Sequence, residues 1–443
     1  MKELILGSPV IILFLMAIGL IYFSVIFHLA GQNPKLVVNL EKIFFGILLI
    51  SIAGATGATI APFDKLHPRV LTNDTTTLPT IVAQLGFYCL FFFLLISRFR
   101  STLKDFIRVA ISLITKSPFF CLFLVLMSLS FLWSNAPEVT FKATLVYLEV
   151  TLFAIYFGKQ YSWQEIYPLW RWINIIIVIV SIFVNIAQSQ SPWNSILGHK
   201  NQFSFVMAQT AVLWLVHAMY SSERRLSLVF FVLSLIAMIK GESGASKVLL
   251  VVLIGLWLYL GFVKKLKVQW AFVSVILFMI VSICLTIIVT ENIEFIVVDT
   301  LNKDLTLTGR TDFWPLIVNK INHHPILGYG ISGFWQPWRG ADNPAGDLIV
   351  AKSGFQPMHS HNGFLDLGLD LGWLGLFLFT ASFFVNVAKG VVYLGRTRLP
   401  EAGLPLLVLT YILMTNLTET GLLGVTSIWF WYVATTTRLS LDT

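Results

Sequence analysis

The residues best equipped for chemistry in this 443-residue chain fall in one short run, HSHNGFLDLGLDLGWLGLFLF, residues 359 to 379. His359 and His361 precede an apolar stretch, and Asp366 and Asp370 recur inside it. Asn362 or Ser360 can cap a helix beginning near Gly363, because a side-chain oxygen there accepts from the free amides of the first turn. His361 would then stand at the helix entrance, a candidate proton acceptor. Asp366 and Asp370 are spaced i, i+4 and share a face, and carboxylates within a membrane helix turn toward the bundle interior or a wet cavity. Gly368 and Gly372 also stand four apart, a spacing that lets another segment approach closely. The alternative is structural, with His361 as a cap and the aspartates as polar contacts between helices.

Four further positions could join them. In GRTDFW (309–314), Arg310 lies just ahead of an expected short helix, TDFWPLIVNKI, capped by Thr311 or Thr308. A guanidinium beside helix N-terminal amides suits a phosphate oxygen, although Arg310 could instead stack on Phe313 or Trp314 or pair with Asp312. Lys200 in GHKNQ and Lys247 in SGASK each end a span, where snorkelling lysines are ordinary. Together with Arg310 they would make a cationic pocket suited to a diphosphate. Glu419, in TNLTET, could cap, pack, or orient one of the basic groups. Phe334, Trp335, Trp338 and Tyr329 are either interfacial belt residues or platforms for sugar rings. The H-x-H of His359 and His361, with His323 and His324 in the same segment, could chelate zinc, but there is no HExxH, cysteine cluster or third ligand at diagnostic spacing. No metal and no cofactor is expected.

The elements that must hold these residues are membrane helices. With 57% hydrophobic and 12% charged residues and a mean hydropathy of +0.81, the chain has too little charge to cover a soluble surface. Apolar stretches of roughly 20 residues recur, each able to cross a bilayer. An all-α polytopic membrane protein of about 12–13 spans is therefore expected. The candidate spans are 5–29, 43–61, 79–97, 118–134, 143–158, 172–188, 202–220, 226–240, 246–263, 269–289, 364–387, 403–417 and 420–437. The stretch 43–61 could be re-entrant instead, and the first is read as a retained span rather than a signal peptide. Cys89, Cys121 and Cys284 all lie in apolar runs, which argues against a disulfide framework. The formal net charge of +8 collects in basic loops at 98–108, 221–226, 264–267 and 389–399, which the positive-inside rule assigns to the cytoplasm, so no nucleic-acid partner is implied. The long connection before 364 then lies outside, as do GHKNQ and GESGASK. The expected organisation is N-terminal helices (1–117), central helices (118–290), a large periplasmic loop with the motifs (291–362) and C-terminal helices (363–443). A transporter is the rival class, but no internal repeat is evident and the reactive residues gather at one face.

These motifs, in order, resemble the O-antigen ligase and polymerase superfamily of bacterial envelope glycosyltransferases. The ligase branch carries H-[N/S/Q]-x9-G-x-x-[G/T/Y]; here His361 and Asn362 are followed after nine residues by Gly372, Trp373, Leu374 and Gly375. GRTDFW and then HHPILGYGISGFW are similar to the family's G-R-x-x-x-W and P-x-x-G-x-G run, and FLWSNAPEVTF (131–141) to its tryptophan–serine turn. The resemblance spans about residues 118 to 435. It implies a helical bundle of about twelve spans in the bacterial inner membrane, with a periplasmic active site. It also implies a metal-independent, inverting transfer of glycan from undecaprenyl diphosphate to a glycan or glycolipid hydroxyl, with His361 as base and Arg310 on the diphosphate. The family's second arginine has no arginine match here; Lys247, or else Lys200, would replace it. Asn362, Asp366, His359 and Glu419 would be supporting residues. The HKN and S-K elements look more like exopolysaccharide polymerases than lipid A–core ligases, both of which remain open.

Overall fold

The computed structural model describes residues 32–52, 99–189, 199–301, 309–348, 359–423 and 427–443, with a few isolated positions besides. Among these residues there are helices and no strand, as a lipid solvent dictates, because only a helix satisfies its own backbone within one segment. Thirteen α-helices occur among the described residues: α1 (Pro34–Ile52), α2 (Phe99–Lys116), α3 (Pro118–Leu129), α4 (Pro137–Gln160), α5 (Trp163–Gln188), α6 (Lys200–Tyr220), α7 (Arg224–Lys240), α8 (Gly244–Val263), α9 (Val268–Leu301), α10 (Gly309–His323), α11 (Gly363–Arg396), α12 (Leu404–Asn416) and α13 (Ser427–Asp442). By length and apolarity, α4, α5, α6, α8, α9 and α11 can each cross a membrane, and α2 with α3 would make a seventh span if read as one. The protein is an all-α polytopic membrane protein. The expected spans at 5–29 and 79–97 fall, apart from a few positions, outside the described residues, as does the N-terminal topology.

One expectation is corrected. The basic stretch 98–108 is not a loop but the first half of α2, which meets α3 at a bend of 104°. Pro118 is the reason for the joint: it cannot donate to the helix behind it and disfavours helical geometry at Ser117, whose ψ is 53°.

Two cores organise the rest. The larger is aromatic: Trp170 stacks on Trp431 with ring centres 4.1 Å apart, and Phe157 meets Phe430 and Trp431. Close helix approach depends on Gly158, where a Cβ would lie 2.5 Å from the Ala434 carbonyl. Polar bonds tie helices across the lipid-level interior, with Ser382 to Tyr432 at 2.6 Å and Asn386 to Thr436 at 2.7 Å. The smaller core joins α10 and the chain after it, and contains Phe313, Ile317, Ile321, Tyr329, Phe334 and Leu369.

Candidate active site

The site is built around a break in α11. Gly372 has φ 65° and ψ −169°, a backbone geometry essentially reserved for glycine. The break removes the helical bonds from Trp373 and Leu374 to Leu369 and Asp370. All four orphaned groups are taken up by the segment 325–330. Tyr329 N donates to Leu369 O at 2.8 Å and Gly330 N to Asp370 O at 2.9 Å, while Trp373 N donates to Pro325 O at 2.7 Å and Leu374 N to Ile326 O at 3.3 Å. Contact is so close that a Cβ on Gly372 would lie 2.4 Å from the Ile326 carbonyl, and one on Gly328 would lie 2.5 Å from Leu369 O. Gly368 likewise faces Ile321 of α10, as its spacing from Gly372 predicts. Behind this segment stands the tryptophan–serine turn: Trp133 Nε1 donates to Leu327 O at 2.9 Å, and Ser130 Oγ accepts from Ile331 N at 3.3 Å.

The histidine turn enters α11 from the other side. Asn362 is the cap: its side chain accepts from Phe364 N and Leu365 N at 3.0 and 3.2 Å. Ser360 is not the cap but the anchor. It is fully buried. Its amide donates to Asp366 Oδ1 at 3.1 Å, its hydroxyl donates to Asn362 O at 2.6 Å and accepts from Asn362 N at 3.1 Å, and its carbonyl accepts from Trp314 Nε1 at 3.0 Å. Ser360 thus brackets His361, whose φ of 52° lies in the left-handed region that costs a non-glycine residue on the order of 1 kcal/mol.

In that strained turn the ring of His361 packs on His359, with ring centres 4.0 Å apart, and its Nδ1 lies 3.5 Å from Glu419 Oε2. The other carboxylate oxygen of Glu419 accepts from Asn201 Nδ2 at 2.6 Å, and the Glu419 backbone carbonyl accepts from Gly363 N at 3.2 Å. Three distant segments, the start of α6, the turn before α11 and the loop after α12, therefore meet at Glu419. Asp366 is held by Trp335 Nε1 at 2.8 Å and by the Thr420 hydroxyl, and Asp370 Oδ1 accepts from Ser332 N at 3.1 Å.

A cavity of about 340 Å³ opens between these elements, walled by His199, Trp335, His359, Asp366, Asp370 and Glu419 among others. His361 borders it through His359 and Glu419 rather than forming its wall. An adjoining cleft shares His199 and is lined by Lys200 with Ser189, Ser191 and Asn194. Lys247 is exposed in the first turn of α8. Arg310 lies in the first turn of α10, which begins at Gly309 rather than after the arginine; its side chain is outside the described residues.

The structure thus brings His361, His359, Asn362, Asp366 and Glu419 together, places Lys200 beside them and leaves Lys247 at the surface. Sequence reasoning passed over Asn201 and Thr420, and considered Trp314 only as a stacking partner of Arg310 rather than as the donor to Ser360 O. Asn201 was visible inside GHKNQ and Trp314 inside GRTDFW, but nothing local says what either side chain reaches.

Fold and site together define a polytopic membrane protein with a helix broken at its reactive end. Residues 228–380 match the family model described as O-antigen ligase, so the chain carries that domain's sequence signature from α7 into α11. Similarity to curated relatives is confined to short segments. A candidate polysaccharide ligase of Rickettsia typhi is 40% identical over 70 residues, 16% of this chain and 17% of that protein. Its counterpart in Rickettsia prowazekii is 41% identical over the same length, 16% and 17% of the two chains. The exopolysaccharide production protein ExoQ of Rhizobium meliloti is 30% identical over 87 residues, 19% of each chain. The chain therefore spans less than a fifth of the length of the curated relatives it matches.

Proposed function

We propose that the chain is a metal-independent glycosyltransferase of the bacterial inner membrane, moving an oligosaccharide from undecaprenyl diphosphate to a glycan or glycolipid hydroxyl at the periplasmic face. The observation that carries this reading is the Nδ1 of His361 facing Glu419, whose carboxylate is clamped by Asn201. With Nδ1–H directed at Glu419, Nε2 is left as proton acceptor, the division of labour by which a carboxylate orients a catalytic imidazole. The acceptor hydroxyl gives its proton to Nε2 as its oxygen attacks the anomeric carbon. The bond from that carbon to the diphosphate oxygen breaks, and one displacement inverts the centre. Negative charge then grows on the departing diphosphate, where Arg310 and Lys200 act in place of a metal, with Lys247 standing apart at the surface, in a chain without a D-x-D motif. A site at the rim of the bundle suits such a donor, because its lipid tail belongs in the bilayer and its sugars in water.

On this reading the transfer polymerises an exopolysaccharide or O-antigen, and likeness to an exopolysaccharide production protein, ExoQ, supports the exopolysaccharide class of product. The O-antigen ligase family model and the ligase-like relatives favour the alternative, transfer of a finished chain to lipid A–core. Glycan analysis of a host lacking the protein separates them. Collapse to single repeat units identifies a polymerase, and full-length chains stranded on the lipid carrier identify a ligase. Full rescue by stably expressed His361→Ala would overturn the catalytic reading and revive a transporter.

A further inference from the structure

At the end of the bundle opposite the cavity, α2 lies across the helices rather than along them. Helix α3 fixes the directions. Its far end reaches the site segment through Ser130 and Ile331. At its near end Ser117 accepts from Lys389, in the last third of α11. Helix α3 therefore runs between the two faces of the bundle, and α2, bent from it by 104°, runs along the face away from the site.

Helix α2 has three distinct sides. Val109 and Leu113, one turn apart, are buried against the protein, Ser112 donates to Ser440 O at 2.8 Å, and Asp105 pairs with Lys159 at 2.8 Å. Ile107, Ile111 and Ile114, spaced four and three apart, and Phe106 beside them stay 48–62% exposed. Lys104 and Arg108, also one turn apart, flank that apolar stripe, and Lys116 closes the helix; all three are exposed, and none makes an ion pair with another described residue. The one acid of the helix is thus neutralised by the protein, while its described cations are left over.

We infer that α2 is an in-plane helix docked on anionic phospholipid headgroups of the leaflet opposite the active site, Phe106, Ile107, Ile111 and Ile114 entering the acyl boundary and Lys104, Arg108 and Lys116 holding phosphates. An apolar stripe edged by cations, on a helix turned 104° from α3, is the arrangement that binds such a surface. By the positive-inside rule that leaflet is the cytoplasmic one, where anionic lipids attract basic segments. The inference is independent of the transfer chemistry.

The test uses the full-length protein in nanodiscs of phosphatidylcholine with and without phosphatidylglycerol. A nitroxide is placed at residue 111 or 104 after Cys89, Cys121 and Cys284 are replaced by serine. The label at 111 is expected to collide with oxygen and be shielded from an aqueous nickel complex, with the reverse at 104. Retention of phosphatidylglycerol, read by native mass spectrometry, is expected to fall roughly fivefold for each cation removed in Lys104→Gln, Arg108→Gln and Lys116→Gln. It is expected to persist when Lys104→Arg, Arg108→Lys and Lys116→Arg exchange the cations without loss of charge. Equal nickel access at both labels overturns the inference. So does unchanged lipid retention in the neutralised protein, or equal loss in the charge-preserving one.

Discussion

His361 Nδ1 and Glu419 Oε2 face one another at 3.5 Å, with the far oxygen of the same carboxylate held by Asn201 at 2.6 Å. The first gap is longer than a good hydrogen bond, and Nδ1 is buried with no hydrogen-bond partner among the described residues. Catalytic contacts of this kind often tighten only when substrate binds. If Glu419 sets the imidazole, Glu419→Gln lowers the rate of transfer in purified protein nearly as far as His361→Ala, about 10²–10⁴-fold. A Glu419→Gln protein with wild-type turnover would exclude this role.

Among the described residues, the Asn201 side chain bonds to Glu419. Its loss removes one hydrogen bond to a charged group, on the order of 1.5–3 kcal/mol. Asn201→Ala is therefore expected to cost roughly 10–100-fold in kcat with little change in KM, and Asn201→Asp more, because it sets two carboxylates against each other. Steady-state kinetics of both variants make the comparison.

His359 lines the cavity, whereas His361 lies behind it. Because the ring of His359 accepts from the His361 amide at 3.2 Å, its principal work is to hold the turn. His359→Ala should retain more activity than His361→Ala and should lower thermal stability. The opposite order of activities would move the base to His359.

Gly372 and Gly395 make a controlled pair. At Gly372 a side chain meets both a forbidden backbone angle and the Ile326 carbonyl, so Gly372→Ala is expected to cost at least about 2 kcal/mol and abolish transfer. Gly395, near the end of the same helix, has open space, and Gly395→Ala should be neutral or slightly stabilising, by up to about 1 kcal/mol. Thermal melts of the two proteins in one detergent decide it.

On the outer surface Lys320 pairs with Asp347 at 2.8 Å. That hydrogen bond holds the Asp347 carboxyl below its ordinary range. A depressed folded-state value means that the pair's contribution is present above the ordinary aspartate range and is lost as pH falls through the folded value. The side chain of Asp347 is 69% exposed, so Asp347→Asn should change stability at neutral pH by less than about 1 kcal/mol, and less still in high salt.

Much of the molecule was legible in the sequence because the relevant forces are local. Apolar runs of membrane length can only become helices in lipid. The Asn362 cap follows from residue type at a helix entrance, and the face shared by Asp366 and Asp370 follows from helical period. What was misread or missed concerns direction and distance. The basic stretch at 98–108 looked like a loop because charge suggests solvent, yet its apolar residues recur at helical spacing and find both protein and an open face. Gly372 was legible as a motif position, but its reason is the backbone of residues 325–330, which repairs the broken α11. Ser360 was read as a possible cap and Glu419 was given several possible duties, and only packing selected among them. Whether Asn201 touches Glu419, and Glu419 faces His361, depends on how α6, α11 and α12 pack. Hydropathy and periodicity fix each helix separately, and it is the interlocking of side chains between helices that decides which residues meet.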